Sequence, residues 1–386
     1  MHDRTPSRRA LLFGAGALAA QGRKVRVGVV GGRFGLQFQW HLHPSSVVTA
    51  VCDIRPDRLD AMASTYRTGN TYRSFDQMLR HKELDAVAVF TPAPLHASMS
   101  IQAMESGRHV ISAVPAGLTI DELANLIDCV KRTGMRYMMA ETTYYRPQII
   151  ACRQWSKEGR FGQIFYSESE YHHNIAPLLF DESGAPTWRH GLPPMFYITH
   201  QTGAIIPMTG ERLAQVTAIG WGDGHDVLRS NQYRNPFWNM VGFFKTTGGH
   251  ASRIAVYWNA PVGFAQRSQF HGSKMSYVMG RGPEQHGDTL MRFDNGGFPE
   301  HKVVAEAQNE PQEKYWYRLP KELHVKTGHE GSHTHITHEF IQAILEDRHP
   351  EVNAWEAAAY TAPGLVAHQS ALEGGKTLNI PDFGKA

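Results

Sequence analysis

A glycine turn between two apolar strands near the N-terminus limits the possible folds of this chain more than any other feature. From Lys24 the sequence reads KVRVGVVGGRFG, an apolar strand that enters a turn, and the residues after the turn predict a helix that continues to His43. A second apolar strand, VVTAVCD, ends at Asp53, 18 residues beyond Gly35. This order of strand, turn, helix, strand and acid predicts the first unit of a parallel α/β sheet.

The residues of the turn suit the binding of a dinucleotide. Gly31 and Gly32 permit a tight turn and a close approach of the backbone to a pyrophosphate, and Gly35 lets the helix pack near the strand. A carboxylate at Asp53 accepts hydrogen bonds from the adenosine ribose, which favours NAD over NADP, whereas the nearby Arg55 weakens that preference. The turn is one residue shorter than G-x-G-x-x-G, so a structural glycine turn in an unrelated α/β domain is the alternative. The candidate cofactor-binding residues of this unit are Gly31, Gly32, Arg33, Phe34, Gly35 and Asp53.

Strands and helices continue to alternate after this unit. Residues 85–92 and 108–115 predict buried strands, and residues 94–107 between them predict a helix. A capping box that begins at Thr119 starts a further helix with apolar residues at helical spacing. We therefore expect a Rossmann domain, a parallel sheet wrapped by helices, over residues 22–145.

The pattern changes in the second half of the chain, where short alternating strands replace buried ones. Such strands, followed by late helices, predict an α+β domain over residues 146–386 with a mostly antiparallel open sheet. One face of that sheet would cover the nicotinamide, and an uncovered face commonly pairs with a second copy, so we expect a homo-oligomer. The predicted strands are residues 163–173, 212–222 and 251–260, and the predicted helices are residues 335–347 and 354–372.

Composition argues against a nucleic-acid partner and against a disulfide framework. The net charge of +3, without a dense Lys/Arg stripe beyond the extreme N-terminus, argues against a nucleic-acid partner. A chain of 386 residues is long enough for two domains. The three cysteines, Cys52, Cys129 and Cys152, are an odd number in or beside apolar runs, so we expect buried reduced thiols and no disulfide framework.

Residues 4–20 have the pattern of a twin-arginine export signal. The segment RTPSRRALLFGAGALAA contains the paired Arg8 and Arg9, a short apolar stretch and small residues that suit cleavage. The apolar stretch is well short of the roughly 20 residues that span a bilayer, so we expect no stable membrane insertion. We predict a signal peptide at residues 1–20 and a periplasmic or other extracytoplasmic location. A disordered basic tail is the alternative.

Several segments together make the sequence similar to the Gfo/Idh/MocA family of dehydrogenases. They include the glycine turn with Asp53, the run TPAPLH, and GRHVISAVPAGLT, which stands where the family has GKHVxxEKPxA. GSHTHITHEF and ALEGGKTLNIPDF also match the family's C-terminal pattern, so the similarity covers nearly the whole mature chain. The resemblance implies an NAD-dependent enzyme that acts on a carbohydrate, and it adds as cofactor-binding residues Thr91, Pro92, His96, Val114 and Pro115.

Two departures from the family pattern point to a narrower likeness. Val114 stands where the family has its lysine, and Phe196 where the family has an Asp four residues before its catalytic histidine. The sequence resembles the branch that contains NAD-dependent glycoside hydrolases of the α-N-acetylgalactosaminidase type, which has Val-Pro-Ala, Glu-x-x-x-Tyr, Tyr-x-His and Tyr-x-Thr-His motifs. The matching residues occur here in that order: Val114–Ala116, Glu141–Tyr145, Tyr171–His173 and Tyr197–His200. The resemblance places Glu141 among the cofactor-binding residues and Tyr145 among the substrate-binding ones.

The tyrosine and histidine motifs supply the groups that the missing lysine would supply. In EYHHN, strand alternation places Tyr171 and His173 on one face and Glu170 and His172 on the other. Oxidation of a carbinol carbon needs a base at its hydroxyl, and a Tyr or His within hydrogen-bond reach can serve. We predict His200 as the group that takes the hydroxyl proton. The predicted catalytic set is His200, Tyr171, His173 and Tyr197.

The histidine-rich run HEGSHTHITHE at residues 329–339 has two interpretations. Histidines three apart on a helix can share a metal ion, but no carboxylate or thiolate set accompanies them, so we expect no metal. We predict instead that His333 and His335 contact sugar hydroxyls. Four tryptophans are candidates for stacking on a pyranose face, of which we expect one or two to do so: Trp188, Trp221, Trp238 and Trp258.

The sequence therefore predicts an NAD-dependent oxidoreductase with tightly bound NAD that transfers a hydride at a secondary hydroxyl of a sugar or glycoside, with C3 as the expected position. A redox-neutral glycosidase, which oxidises, eliminates, hydrates and reduces in turn, shares the first step. A non-catalytic sugar-binding protein with a relic NAD site is the alternative of a different class.

Overall fold

The structure, a computed structural model, describes residues 22–260, 264–280, 287–294 and 302–386. The predicted signal peptide lies outside the described residues.

The first half forms a six-stranded sheet in the order β3-β2-β1-β4-β5-β6, which is the Rossmann order. Each neighbouring pair of these strands is parallel. The central strands β1 and β4 are buried except at Arg26, because helices cover both faces of a parallel sheet. The strands are β1 (Val25–Val30), β2 (Ser46–Cys52), β3 (Thr71–Tyr72), β4 (Ala86–Val89), β5 (His109–Ser112) and β6 (Tyr137–Met139).

Five helices connect these strands. The capping box predicted at Thr119 is present, since its side chain accepts from the N–H of Glu122 and the carboxylate of Glu122 accepts from the N–H of Thr119. The apolar stripe that follows is buried, as the spacing predicts. The helices are α1 (Gly32–Gly35), α2 (Pro56–Tyr66), α3 (Phe75–Leu79), α4 (His96–Glu105) and α5 (Ile120–Thr133).

The helix predicted from the glycine turn to His43 is wrong in length. It ends at Gly35, and a series of turns continues to β2. Phe38 and Trp40 are both fully buried, although residues two apart lie on different sides of a helix. Their rings stack on each other at 5.8 Å between centroids, so turns replace the helix in order to bury both.

The second half forms a nine-stranded sheet in the order β14-β13-β12-β11-β7-β10-β9-β8-β15. β7 and β10 pair in parallel and the other neighbours pair antiparallel, which confirms the prediction of a mostly antiparallel sheet. The strands are β7 (Ile164–His172), β8 (Leu213–Trp221), β9 (Asn239–Thr246), β10 (Ala251–Tyr257), β11 (Ala265–Gly272), β12 (Met275–Val278), β13 (Asp288–Phe293), β14 (Val303–Gln308) and β15 (Leu378–Asn379).

Helices on one face of this sheet join it to the Rossmann half. The longest, α10, packs against β8 and also against α5, and its N-cap Asn353 accepts from two backbone N–H groups. Of the helices that the structure describes, none is both long and apolar enough to cross a membrane. The helices of this half are α6 (Pro147–Lys157), α7 (Thr199–Thr209), α8 (Asp226–Arg229), α9 (Ser332–Leu345) and α10 (Ala354–Leu372).

The cysteines behave as predicted. Cys52, Cys129 and Cys152 are buried and unpaired. Burial raises the pKa of the Cys152 thiol well above its usual value, so it packs as a small apolar side chain.

Candidate active site

A cavity of about 410 Å³ lies between the Rossmann sheet and the second domain. Its Rossmann wall comes from the glycine turn and from the carboxyl ends of parallel strands, where α/β proteins bind ligands. Its other wall comes from β7, from the segment that follows β7 and from the start of α7. The side chains that line it include Arg33, Phe34, Thr91, Pro92, His96, Val114, Tyr171, His173, Tyr197, His200 and Trp258.

The glycine turn has the geometry of a dinucleotide cradle. Gly31 has φ +94°, and a Cβ there would clash with the carbonyl oxygen of Phe90. The N–H of Gly32 donates to Oδ2 of Asp53 over 2.6 Å, and the N–H of Arg55 donates to Oδ1. These contacts hold the acid beside the turn, where a ribose would meet it. The turn and the adjoining cavity therefore fit a dinucleotide.

His96 holds together the part of the cavity wall that follows β4 and β5. Its ring nitrogens lie 2.8 Å from the carbonyl oxygen of Pro115 and 2.8 Å from that of Thr91. Burial lowers the pKa of the His96 imidazole, while its carbonyl partners act in the opposite direction. The ring thereby joins the segments that follow β4 and β5, which carry Thr91 and Val114 into the cavity wall.

Glu141 does not line the cavity but lies behind His200. Its side chain is fully buried, and Nδ1–H of His200 donates to Oε1 over 2.8 Å. The N–H of Thr143 donates to the same oxygen. Burial alone would raise the pKa of Glu141, but the interactions with His200 and Thr143 lower it overall, so this carboxyl is ionised at neutral pH. Its predicted contact with the cofactor is replaced by a contact with His200.

A glycine in α7 makes room for this carboxylate. A Cβ on Gly203 would lie 2.6 Å from Cγ of Glu141. Gly203 lies one turn after His200 in α7. The helix that carries the imidazole therefore also leaves the space that the side chain of Glu141 fills.

Tyr171, in β7, and His173, directly after it, lie on the same side of the sheet, as strand alternation predicts. The hydroxyl of Tyr171 lies 3.1 Å from Nδ1 of His173, and on the other face the carboxylate of Glu170 lies 3.1 Å from Nε2 of His172. Burial raises the pKa of the Tyr171 phenol, and the nearby Tyr197 and Glu141 raise it further. Burial lowers the pKa of the His173 imidazole. A protonated phenol therefore donates to a neutral imidazole.

Aromatic rings join these groups into one cluster. The ring of Tyr171 lies 5.1 Å from that of His200 and stacks with that of Tyr197 at 6.4 Å. Trp258 packs beside them, and its Nε1–H donates to the carbonyl of Leu192. Of the four candidate tryptophans, Trp188 and Trp258 line the cavity, and Trp221 and Trp238 do not.

The structure does not bring Tyr145, His333 and His335 into the cavity. His333 is fully buried against Phe34 and Phe38, and the ring of His335 stacks on that of Tyr145. Burial lowers the pKa of His333 and of His335 to about 3, so both are neutral core side chains. Sugar contacts predicted for these three residues have no support in this placement.

The described residues also contain no group of three or more His, Cys, Asp or Glu side chains placed to hold a metal ion.

Two polar residues of the wall were not among the predicted site residues. Arg189 lies on the segment between β7 and α7, which has no helical or strand periodicity. His329 lies in a left-handed stretch before α9, with φ 51° at His329 and φ 57° at Glu330. Left-handed backbone at residues other than glycine clusters at functional sites, and only the fold places this one at the cavity.

Two family models match separate parts of the chain. Residues 25–141 match the model described as oxidoreductase family, NAD-binding Rossmann fold. Residues 273–386 match the C-terminal domain of glycosyl hydrolase 109. These matches confirm the predicted fold class and NAD as the cofactor.

Similar proteins cover nearly the whole chain at low identity. A glycosyl hydrolase family 109 protein of Streptomyces coelicolor is 24% identical over 93% of this chain and 83% of its own length. An alpha-N-acetylgalactosaminidase of Shewanella oneidensis is 24% identical over 95% of this chain and 87% of its own. Among solved structures, levoglucosan dehydrogenase in complex with NADH matches with a TM-score of 0.75 at 18% identity, covering 94% of this chain and 100% of that one.

Proposed function

We propose that this chain, which belongs to the Gfo/Idh/MocA family of oxidoreductases in the branch related to glycosyl hydrolase family 109, uses NAD to oxidise a secondary hydroxyl of a sugar or glycoside. The observation that carries the proposal is the convergence of Tyr171, His173 and His200 on the cavity that the glycine turn also borders. When bound, NAD takes a hydride from the carbinol carbon and can return it.

His200 is the proposed base. Its Nδ1–H is held by Glu141, so Nε2 is the nitrogen that remains to accept the proton of the substrate hydroxyl. Glu141 stabilises the imidazolium that forms, because a buried carboxylate at 2.8 Å interacts strongly with a positive charge. Val114, in the position of the family's lysine, has no group that moves a proton.

Tyr171 and His173 form a second path for protons. The Tyr171 hydroxyl donates to His173, and its ring packs against His200. A phenol that keeps its proton can give it to a substrate oxygen, and His173 can then take a proton from solvent and pass it from Nδ1 to the phenolate. We propose that Tyr171 and His173 orient the sugar, and that Tyr197 packs beside them.

Redox-neutral hydrolysis of a glycoside is the second candidate. The match of residues 273–386 to the glycosyl hydrolase 109 C-terminal domain favours it. Oxidation at C3 makes the proton at C2 acidic. A base removes that proton, and the C1 substituent leaves with the bonding electrons. Water then adds at C1, a proton returns to C2, and the hydride returns to C3, so the net reaction is hydrolysis without consumption of NAD.

One experiment separates these functions. The purified protein is examined for bound dinucleotide, then offered aryl glycosides with and without added NAD. Accumulation of NADH or a keto sugar supports the dehydrogenase, and release of aglycone without net NADH supports the hydrolase. Products formed in deuterated water would carry deuterium at C2 if elimination occurs. If NAD is bound and no glycoside reacts, a sugar-binding protein is left as the function.

We further propose export by the twin-arginine route with NAD as a resident group. A redox-neutral cycle suits a compartment where free NAD is scarce, because each turnover restores the oxidised cofactor. The paired arginines at Arg8 and Arg9 support this proposal.

We also propose that the chain forms a homo-oligomer through the outer face of the nine-stranded sheet. Ile219, Trp221 and Phe243 are 65%, 43% and 59% exposed on that face. Light scattering of the wild type and of Phe243→Glu tests this, and a monomeric wild type would contradict it.

A further inference from the structure

The wall of the cavity has an excess of positive charge. Three arginines line it, Arg33, Arg58 and Arg189, and the described lining residues include no Asp or Glu. None of the three forms a salt bridge with a described carboxylate. Desolvation and repulsion from Arg189 and Arg58 lower the pKa of Arg33, so the three cations interact through a shared space.

A bound dinucleotide accounts for two of these cations. Arg33 belongs to the glycine turn, and Arg58 lies beside it, since a Cβ on Gly32 would come within 2.9 Å of Cβ of Arg58. Both therefore border the place where a pyrophosphate would lie. Its two negative charges are matched by two guanidinium groups. Arg189 remains as a third positive charge, contributed by the other domain.

Arg189 is held in the wall of the cavity that the second domain contributes. Its guanidinium carbon lies 3.9 Å from the centre of the Trp188 ring. The carbonyl of Trp188 accepts from the Tyr233 hydroxyl over 2.6 Å, and the hydroxyl of Thr187 accepts from the N–H of Arg189 over 3.2 Å. Its charge also lowers the pKa of His173, in addition to the effect of burial, which places the guanidinium near the catalytic imidazole.

We propose that Arg189 recognises a carboxylate on the sugar substrate, so that the enzyme prefers glycosides of uronic acids to those of neutral hexoses. This inference rests on the proposed function. A guanidinium presents two parallel N–H donors that match the two oxygens of a carboxylate. Trp188, beside it in the wall, offers a flat surface for the pyranose ring. A neutral hexose would leave the guanidinium without a counter-charge in the closed site.

Equilibrium binding gives a readout that does not depend on turnover. The NAD-loaded protein is titrated in a calorimeter with D-glucuronate and D-galacturonate, and with D-glucose and D-galactose. We expect at least one uronate to bind about tenfold or more tightly than its neutral counterpart, with a preference that weakens as salt is added. Arg189→Gln should abolish the preference, and Arg189→Lys should retain part of it. Equal affinity for the uronates and the hexoses, or no binding of either, would overturn the inference.

Arg58→Gln is the matched control. It should weaken NAD binding and leave the preference for uronates in place. If Arg189→Gln instead weakens NAD binding and leaves the sugar preference unchanged, Arg189 is a cofactor contact and the inference is wrong. The melting temperature of each variant checks that the fold is retained.

Turnover distinguishes failure of this inference from failure of the proposed function. Both anomers of 4-nitrophenyl glucuronide and galacturonide are compared with the corresponding hexosides. Reaction of the hexosides with equal kcat/KM for the uronides would leave the function standing and overturn the inference. Tight, Arg189-dependent binding of uronates with no oxidation and no release of nitrophenol would leave the inference standing and overturn the function.

Discussion

Nδ1 of His200 lies 2.8 Å from Oε1 of Glu141, and this carboxylate is completely enclosed by protein. The pair fixes the roles of the two ring nitrogens of His200, because Nδ1 is hydrogen-bonded to Glu141 and Nε2 is left for the substrate. A buried carboxylate behind an imidazole fixes its tautomer and stabilises its protonated form.

Glu141→Gln keeps the shape of the side chain and removes its charge. We expect kcat to fall by about 10²-fold or more, because His200 loses both its orientation and the stabilisation of its protonated form. NAD affinity should change little, since Glu141 does not line the cavity. Rates of hydride transfer over a pH series, with NAD binding measured separately, check this. Glu158→Gln, at an exposed position, is the control, and a kcat within twofold of wild type would contradict the role of Glu141.

Tyr171→Phe removes the hydroxyl that donates to His173 and keeps the ring that packs on His200. We expect kcat/KM to fall by about 10²-fold as the proton path is lost. The melting temperature should change little, because the ring remains in place. Tyr144→Phe, which alters a tyrosine outside the cavity wall, should have no such effect. Equal losses in the two variants would mean that Tyr171 has no special role in the chemistry.

Local signals in the sequence were sufficient for most of the fold. The capping box at Thr119 starts a helix because two reciprocal hydrogen bonds satisfy its first N–H groups. Strand alternation correctly placed Tyr171 and His173 on one face and Glu170 and His172 on the other. The helix predicted to His43 failed because burial of both Phe38 and Trp40 overrode local propensity.

Tertiary placement accounts for what the sequence did not predict. A motif indicates that Glu141 is near the site, but not whether its carboxylate faces the cavity or lies behind His200. His333 and His335 have the composition of a binding motif and are core residues, because α9 turns them towards Phe38 and Tyr145. Arg189 lies in a segment without periodicity, and only the fold brings it to the wall.

Gly31→Ala should impair NAD binding and lower stability. Its φ of +94° is unfavourable for alanine, and the added methyl group would meet the carbonyl of Phe90. We expect a loss of about 1–3 kcal/mol in the free energy of unfolding. Gly69→Ala is the matched control, since a Cβ there meets nothing within 4 Å. Urea unfolding and NAD titration measure both effects, and equal behaviour of the two variants would refute the role of Gly31.

Arg8→Lys together with Arg9→Lys should block export. A twin-arginine signal depends on the paired guanidinium groups, so the double variant should remain in the cytoplasm with its N-terminal segment uncleaved. Fractionation of cells that carry the twin-arginine machinery, with detection of a C-terminal tag, measures the distribution. Export of the double variant at the wild-type level would show that residues 1–20 do not act as this signal.

Protonation of Glu170 should make the second domain sensitive to acid. This buried carboxylate forms ion pairs with Arg253 and Arg267 and a contact with His172. Burial acts to raise its pKa, but these partners lower it overall, well below the ordinary value. A depressed folded pKa means that the stabilisation is fully present above the unfolded pKa of about 4.3 and is lost as the pH falls towards the folded value. The free energy of unfolding should therefore decrease below about pH 5, and Glu170→Gln should lower it at pH 7 and flatten this dependence.

Glu306→Gln, in a half-exposed pair with Arg292, should leave the slope unchanged, because solvent screens that pair. Urea unfolding between pH 7 and pH 3.5 measures the slopes, and an unchanged slope in Glu170→Gln would assign the acid sensitivity to other carboxylates.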